Sequence, residues 1–111
     1  MAYDELLTAR MRGVLSLQEG LEEKKMFGGV GFLIHGNLAC GVNKNNLIVR
    51  VGPAYHDQAL KKPHTRPFDI TGRPMAGWVM VEPEGCATEK ALADWIRLGV
   101  AFANSLPEKE K

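Results

Sequence analysis

The sequence is poor in the groups on which small catalytic, secreted or metal-bound domains rely. Its 111 residues include 2 cysteines, 3 histidines and 7% aromatics. Cys40 and Cys86 stand far apart, with neither CxxC nor Cys/His ligand spacing, which argues against a zinc site and for two buried free thiols. No apolar run approaches the roughly 20 residues that cross a bilayer. The N-terminal Met1-Ala2-Tyr3-Asp4-Glu5 lacks the basic segment and the continuous apolar stretch of a secretory signal. No membrane partner is expected, and the expected compartment is the cytoplasm. A formal net charge of +1 also gives no global field that would recommend nucleic acid.

What is present is globular material. With 45% hydrophobic and 24% charged residues, the chain is expected to form one domain over 1–111, with a solvated tail from 106 onward. The most informative stretch is Lys25-Met26-Phe27-Gly28-Gly29-Val30-Gly31-Phe32. A phosphate-cradling loop needs glycines at set offsets, a Lys-Ser/Thr pair or a third glycine, and a helix start behind them. Here a period-2 apolar run, Phe32-Leu33-Ile34-His35, follows instead. The glycines therefore predict a bulge or a close backbone approach at the start of a strand.

Periodicity orders the rest of the chain. A helix is expected from Tyr3 to about Leu17, with Leu6, Leu7, Met11, Val14 and Leu15 turned to the core. Arg10 shares the stripe of Leu6, Val14 and Leu17, so its stem should pack while its head reaches solvent or a carboxylate. Gln18 to Lys24 reads as a link to the sheet. From Met26 to Val51 the pattern predicts three antiparallel strands, with turns at Gly36-Asn37 and at Asn43-Lys44-Asn45-Asn46. In the last of these strands Leu47, Val49 and Val51 share one face, which leaves Ile48 and Arg50 on the other. A short helix through Tyr55, Ala59 and Leu60 should follow Gly52-Pro53. Beyond it come a polar connection from Lys61 to Arg73, a short strand at Phe68-Asp69-Ile70 and a surer one at Trp78-Val79-Met80-Val81. Thr88 is a fitting N-cap for a final helix that carries Leu92, Trp95, Ile96, Phe102, Ala103 and Leu106 on one side and ends before Pro107. Gly99 sits within that stripe, which points to a close approach of helix and sheet.

The order helix, three strands, short helix, two strands, helix resembles that of the TfoX N-terminal domain family, named for a bacterial competence regulator. The residues that carry the resemblance are Lys25 to Phe32, the Leu47-Ile48-Val49-Arg50-Val51 strand, the Arg73-Pro74-Met75-Ala76-Gly77-Trp78-Val79 run and the helix of Trp95. Within it Met26, Phe27, Gly28, Gly29, Gly31, Trp78 and Trp95 form a structural family motif. The resemblance implies an α+β fold, α-β-β-β-α-β-β-α, whose antiparallel sheet of about five strands is covered by the N- and C-terminal helices, similar to secretion chaperones. It implies a regulatory role rather than a reaction. It also suggests a stand-alone N-terminal domain, without the helical C-terminal domain of the competence regulator.

The residues themselves offer little chemistry. Ser16 and Ser105, the only serines, fall on expected helices, and Cys40 with His35 is the only Cys/His pair that local geometry brings near. His35, His56 and His64 lack ligand spacing, and Glu82 and Glu84 flank Pro83 where solvated charge is usual. No catalytic residue, cofactor or metal is expected. The remaining feature is basic: Lys61, Lys62, Arg66 and Arg73 in the connection, joined by Arg50 on the less apolar sheet face, with Phe68 and Trp78 nearby. Such a patch suits an acidic protein surface, a phosphate or nucleic acid. The expectation is a non-enzymatic interaction module that works as a homodimer with a protein partner. Direct nucleic-acid binding through loop 61–73 is the alternative, and a small-ligand or cysteine-dependent enzyme the more remote one.

Overall fold

A computed structural model describes residues 4–26, 29–68 and 77–107. The chain runs α1 (Glu5–Leu15), β1 (Leu21–Met26), β2 (Gly29–Ile34), β3 (Asn37–Asn43), β4 (Asn46–Arg50), α2 (His56–Leu60), β5 (Thr65–Pro67), β6 (Trp78–Val81), a single 3₁₀ turn (Pro83–Cys86) and α3 (Glu89–Asn104). The strands form one antiparallel sheet in the order β1-β2-β3-β4-β6-β5.

Among the described residues the sheet has six strands where about five were expected. The additional strand is β1, Leu-Glu-Glu-Lys-Lys-Met, which falls within the stretch read as a link and has no β-branched residue to signal it. Its strand character comes from the ladder, with all six residues in register against β2, from Leu21 opposite Ile34 to Met26 opposite Gly29. A further correction is local. The β2–β3 turn is His35-Gly36, one residue earlier than Gly36-Asn37. Both residues have positive φ (51° and 84°), as a two-residue primed turn requires, and Asn37 is already paired with Ile34. A short strand at Thr65–Pro67 was not expected from the sequence; of the expected Phe68-Asp69-Ile70 strand, Phe68 follows directly after it, and Asp69 and Ile70 lie outside the described residues.

Helix α1 spans less than the expected stripe. Asp4 caps it by accepting from the Leu7 N–H at 3.0 Å, and Leu7, Met11 and Leu15 are buried. Leu6 is 73% exposed and Leu17, beyond the helix end, 98% exposed, so neither joins the core as the periodicity suggested. Arg10 behaves as expected: its Nε donates to Glu89 at 3.0 Å, and its Nη2 reaches the Cys86 carbonyl. Helix α3 starts where Thr88 accepts from the Ala91 N–H at 3.1 Å. At its far end the Asn37 side chain donates to the Pro107 carbonyl at 2.9 Å, which ties Pro107 to the sheet.

The register sorts side chains into two faces. Val30, Val42, Leu47 and Val81 form one row, and Phe32, Cys40, Val49 and Val79 form the next. Both rows are buried in a single core with Met11 of α1, Ala59 of α2, Cys86 of the 3₁₀ turn and Leu92, Ile96 and Ala103 of α3. Among the described residues every helix therefore covers the same face. A Cβ on Gly99 would run into the carbonyl oxygen of Ala39, which is the close approach that the glycine permits. The glycine cluster serves the same end within the sheet. A Cβ at Gly29 would meet the Val42 carbonyl, and Gly31 lies directly opposite Gly41. Phe27 and Gly28 lie outside the described residues.

Candidate functional site

The opposite face is built differently. Its central row runs Lys24, Gly31, Gly41, Ile48, Met80, Arg66 across all six strands. Two glycines open the middle of that row, and Ile48 is fully buried beside them although it lies outside the main core. One step along the strands, Arg50 of β4 pairs with Trp78 of β6. Phe68, also buried outside the main core, stands with its ring centroid 5.9 Å from that of Trp78 and tilted by 44°. Arg50 and Phe68 thus flank the same indole.

Arg50 is the centre of the site. Its guanidinium carbon lies 5.6 Å from the centroid of Trp78 and 5.1 Å from that of Phe102 on α3, within the range of cation–π attraction to both rings. Among the described residues no carboxylate, carbonyl or hydroxyl accepts from it. Contact with ring faces occupies the flat sides of a guanidinium and leaves its five N–H donors, all at the rim, for a carboxylate or phosphate in a bidentate fork. Half-burial strengthens such a pair relative to open water. Phe102 was not foreseen in this role, because nothing in local spacing links position 50 to position 102.

The remaining basic residues do not form one patch with it. Arg66 lies on the same face, 3.8 Å from Glu82 and within hydrogen-bonding reach of the Met80 sulfur at 3.4 Å. Lys62 leans the other way, with Nζ 5.7 Å from the ring centroid of Trp95 on α3. It borders a shallow groove of about 360 Å³ lined by Lys62, Pro63, His64, Glu84, Gly85 and Trp95. Lys61 is exposed beside the end of α2, and Arg73 lies outside the described residues. The structure therefore joins Arg50 and Arg66 to one sheet face and turns Lys62 toward the helical side.

The model of the TfoX N-terminal domain matches residues 14–103. The chain belongs to that family. No curated protein and no solved structure matches it significantly. Of the motif expected for a TfoX N-terminal domain, Met26 closes β1, Gly29 and Gly31 are buried in β2, Trp78 is half-buried beside Arg50, and Trp95 is buried in the core.

The thiol and imidazole groups are set apart from this face. Cys40 is buried on the core side opposite Phe32 and Val49, and burial pushes its thiol up to about 12. His35 sits at the hairpin tip, packed so closely on Gly20 that a Cβ there would lie 2.5 Å from its ring. Cys86 is also raised, first by burial, with Arg10 opposing. Among the described residues the buried His56 Nε2 has no hydrogen-bond partner. Among the described residues no cluster of three or more His, Cys, Asp or Glu could hold a metal, and no helix is long and apolar enough to cross a membrane.

Proposed function

We propose that this TfoX N-terminal domain is a non-enzymatic regulatory module that recognises a protein partner through the helix-free face of its sheet, with Arg50 gripping a carboxylate. Membership in the family fits a regulatory or competence-related role. The observation that carries the reading is Arg50 itself, set against Trp78 and Phe102 with its donors unmatched among the described residues. A half-buried arginine flanked by aromatics is the kind of group that dominates protein–protein binding energy. Arg66 and the half-buried Met80 extend the same surface.

The test is affinity capture from the native host with the tagged chain, after nuclease treatment, comparing wild type with Arg50→Ala, Arg50→Lys and the triple change of Arg50, Arg66 and Arg73 to Ala. A specific protein should be recovered with wild type and lost with Arg50→Ala. It should also be weakened by Arg50→Lys, because lysine keeps the charge but not the fork. Equal recovery with all four chains would overturn the reading. Nucleic acid as the partner would instead show in untreated lysate, as binding that falls steeply between low and moderate salt.

A further inference from the structure

The outer edge of β1 offers a surface that the proposed partner face does not use. β1 ends the strand order, so one side of its backbone has no strand against it among the described residues. The phase of the ladder tells which groups point outward. The Gly20 carbonyl accepts from the His35 N–H at 3.0 Å, and Gly20 is the residue before Leu21, which lies opposite Ile34. Hydrogen-bonded positions alternate along an antiparallel pair, so residues 22, 24 and 26 bond to β2. Leu21, Glu23 and Lys25 aim their N–H and C=O groups away from the sheet.

An exposed edge of this length is a template for another strand. Charged residues usually protect such an edge, and a run of lysines would suffice for that. Here the order is Leu21-Glu22-Glu23-Lys24-Lys25, acidic first and basic second. That order complements itself when reversed, which points to a second copy of the chain in antiparallel pairing about a two-fold axis.

We propose that two copies of this domain join through β1, antiparallel and with Glu23 on the two-fold axis, into a continuous sheet of twelve strands, twice the six of one copy. The odd-numbered residues face one another in this register, and their outward groups supply about six main-chain hydrogen bonds. On the helix-free face Glu22 of each copy stands opposite the partner's Lys24, giving two complementary pairs. On the helical face the two Glu23 carboxylates meet at the axis. Each is already held by its own Arg12 in a two-pronged bond at 2.8 and 2.6 Å, and Lys25 is the diagonal neighbour. Arg12 therefore neutralises the one unfavourable contact the register creates. Leu17, 98% exposed in the turn before β1, adds apolar surface close to the same edge.

Sedimentation of the purified chain over a concentration series tests the proposal. Wild type should pass from monomer to dimer. Glu22→Lys and Lys24→Glu should each raise the dissociation constant by about tenfold or more, since two attractive pairs become repulsive in either variant. The double exchange E22K/K24E should restore the dimer, and mixing the two single variants should give a heterodimer. Lys25→Pro removes an outward donor without touching the β2 ladder and should also leave a monomer, with unchanged circular dichroism as the check on folding. A wild type that stays monomeric at several hundred micromolar would overturn the proposal. So would charge variants that associate as tightly as wild type. Loss of partner capture by Arg50→Ala concerns the other surface and leaves this outcome unaffected.

Discussion

The two faces of the sheet are made from the same strands, yet among the described residues the chain's own helices close only one of them. On the covered face the rows alternate β-branched, aromatic and thiol side chains, and α3 comes down on them at Gly99. On the other face the same positions of neighbouring strands hold glycine, isoleucine, methionine, tryptophan and arginine. The first face is chosen for volume, since a close-packed interior registers the loss of even one methylene. The second, on the reading proposed above, is chosen for contact. Its Arg50 is flanked by Trp78 and by Phe102 of α3 rather than paired to a carboxylate among the described residues, which stabilises the domain little.

The sharpest way to break that comparison is to remove one large side chain from each face. Phe32→Ala on the covered face deletes a fully buried ring and should cost about 3–5 kcal/mol in urea unfolding. Arg50→Ala on the other face should cost no more than about 1 kcal/mol, while abolishing partner capture. Comparable losses from both would mean that the second face is structural after all.

Glycine to alanine gives the next largest effect, and with opposite signs in two helices. Gly99→Ala forces a methyl against the Ala39 carbonyl, which is backbone and cannot rotate aside, and should destabilise by about 3 kcal/mol. Gly13→Ala in α1 meets nothing within 4 Å and gains helix propensity, so it should stabilise by about 0.5–1 kcal/mol. Paired thermal melts read both at once.

Much of this was legible in the residues, for physical reasons that also mark where the reading stops. Trp78 to Val81 and the α3 stripe declared themselves because burial demands long apolar runs with a fixed period. The separation of Leu47 and Val49 from Ile48 and Arg50 followed from the two-residue repeat alone. β1 stayed hidden because an edge strand needs few apolar side chains and is held mainly by hydrogen bonds that no residue type announces. Leu6 and Leu17 misled in the opposite way, since spacing cannot tell an outward leucine from an inward one at the border of a stripe. The meeting of Arg50 with Phe102 joins distant positions and left no mark in the sequence.

Cys40 sharpens the comparison more gently, because it reports how dry the covered face is. Its thiol is pushed from 9.0 to about 12 by burial. The folded protein thus holds that proton more firmly than the unfolded chain does. The resulting stability is fully present below about pH 9 and is lost as pH rises toward 12. Cys40→Ala should cost about 1 kcal/mol at neutral pH and flatten the alkaline decline seen with wild type. Alkylation should label Cys40 only at the rate of unfolding, and rapid labelling of the native protein would show a face open to water.

The smallest expected effect in the isolated domain lies at the border of the two faces. Arg12 and Glu23 are 52% and 33% exposed, so Arg12→Ala should cost only about 0.5 kcal/mol, diminishing further with salt. The hydrogen bond from Arg12 holds the Glu23 carboxyl below its usual 4.5. Its contribution is therefore present above that value and disappears as pH falls through the lowered one. The variant and wild type should converge in acid and differ at neutral pH. Self-association magnifies the change, because two Glu23 carboxylates freed at a two-fold axis repel each other where the arginines had screened them. A variant with near-normal melting of the monomer but a weakened, salt-sensitive dimer would place this ion pair in the service of the edge rather than of the core. Equal effects on both would return it to ordinary surface charge.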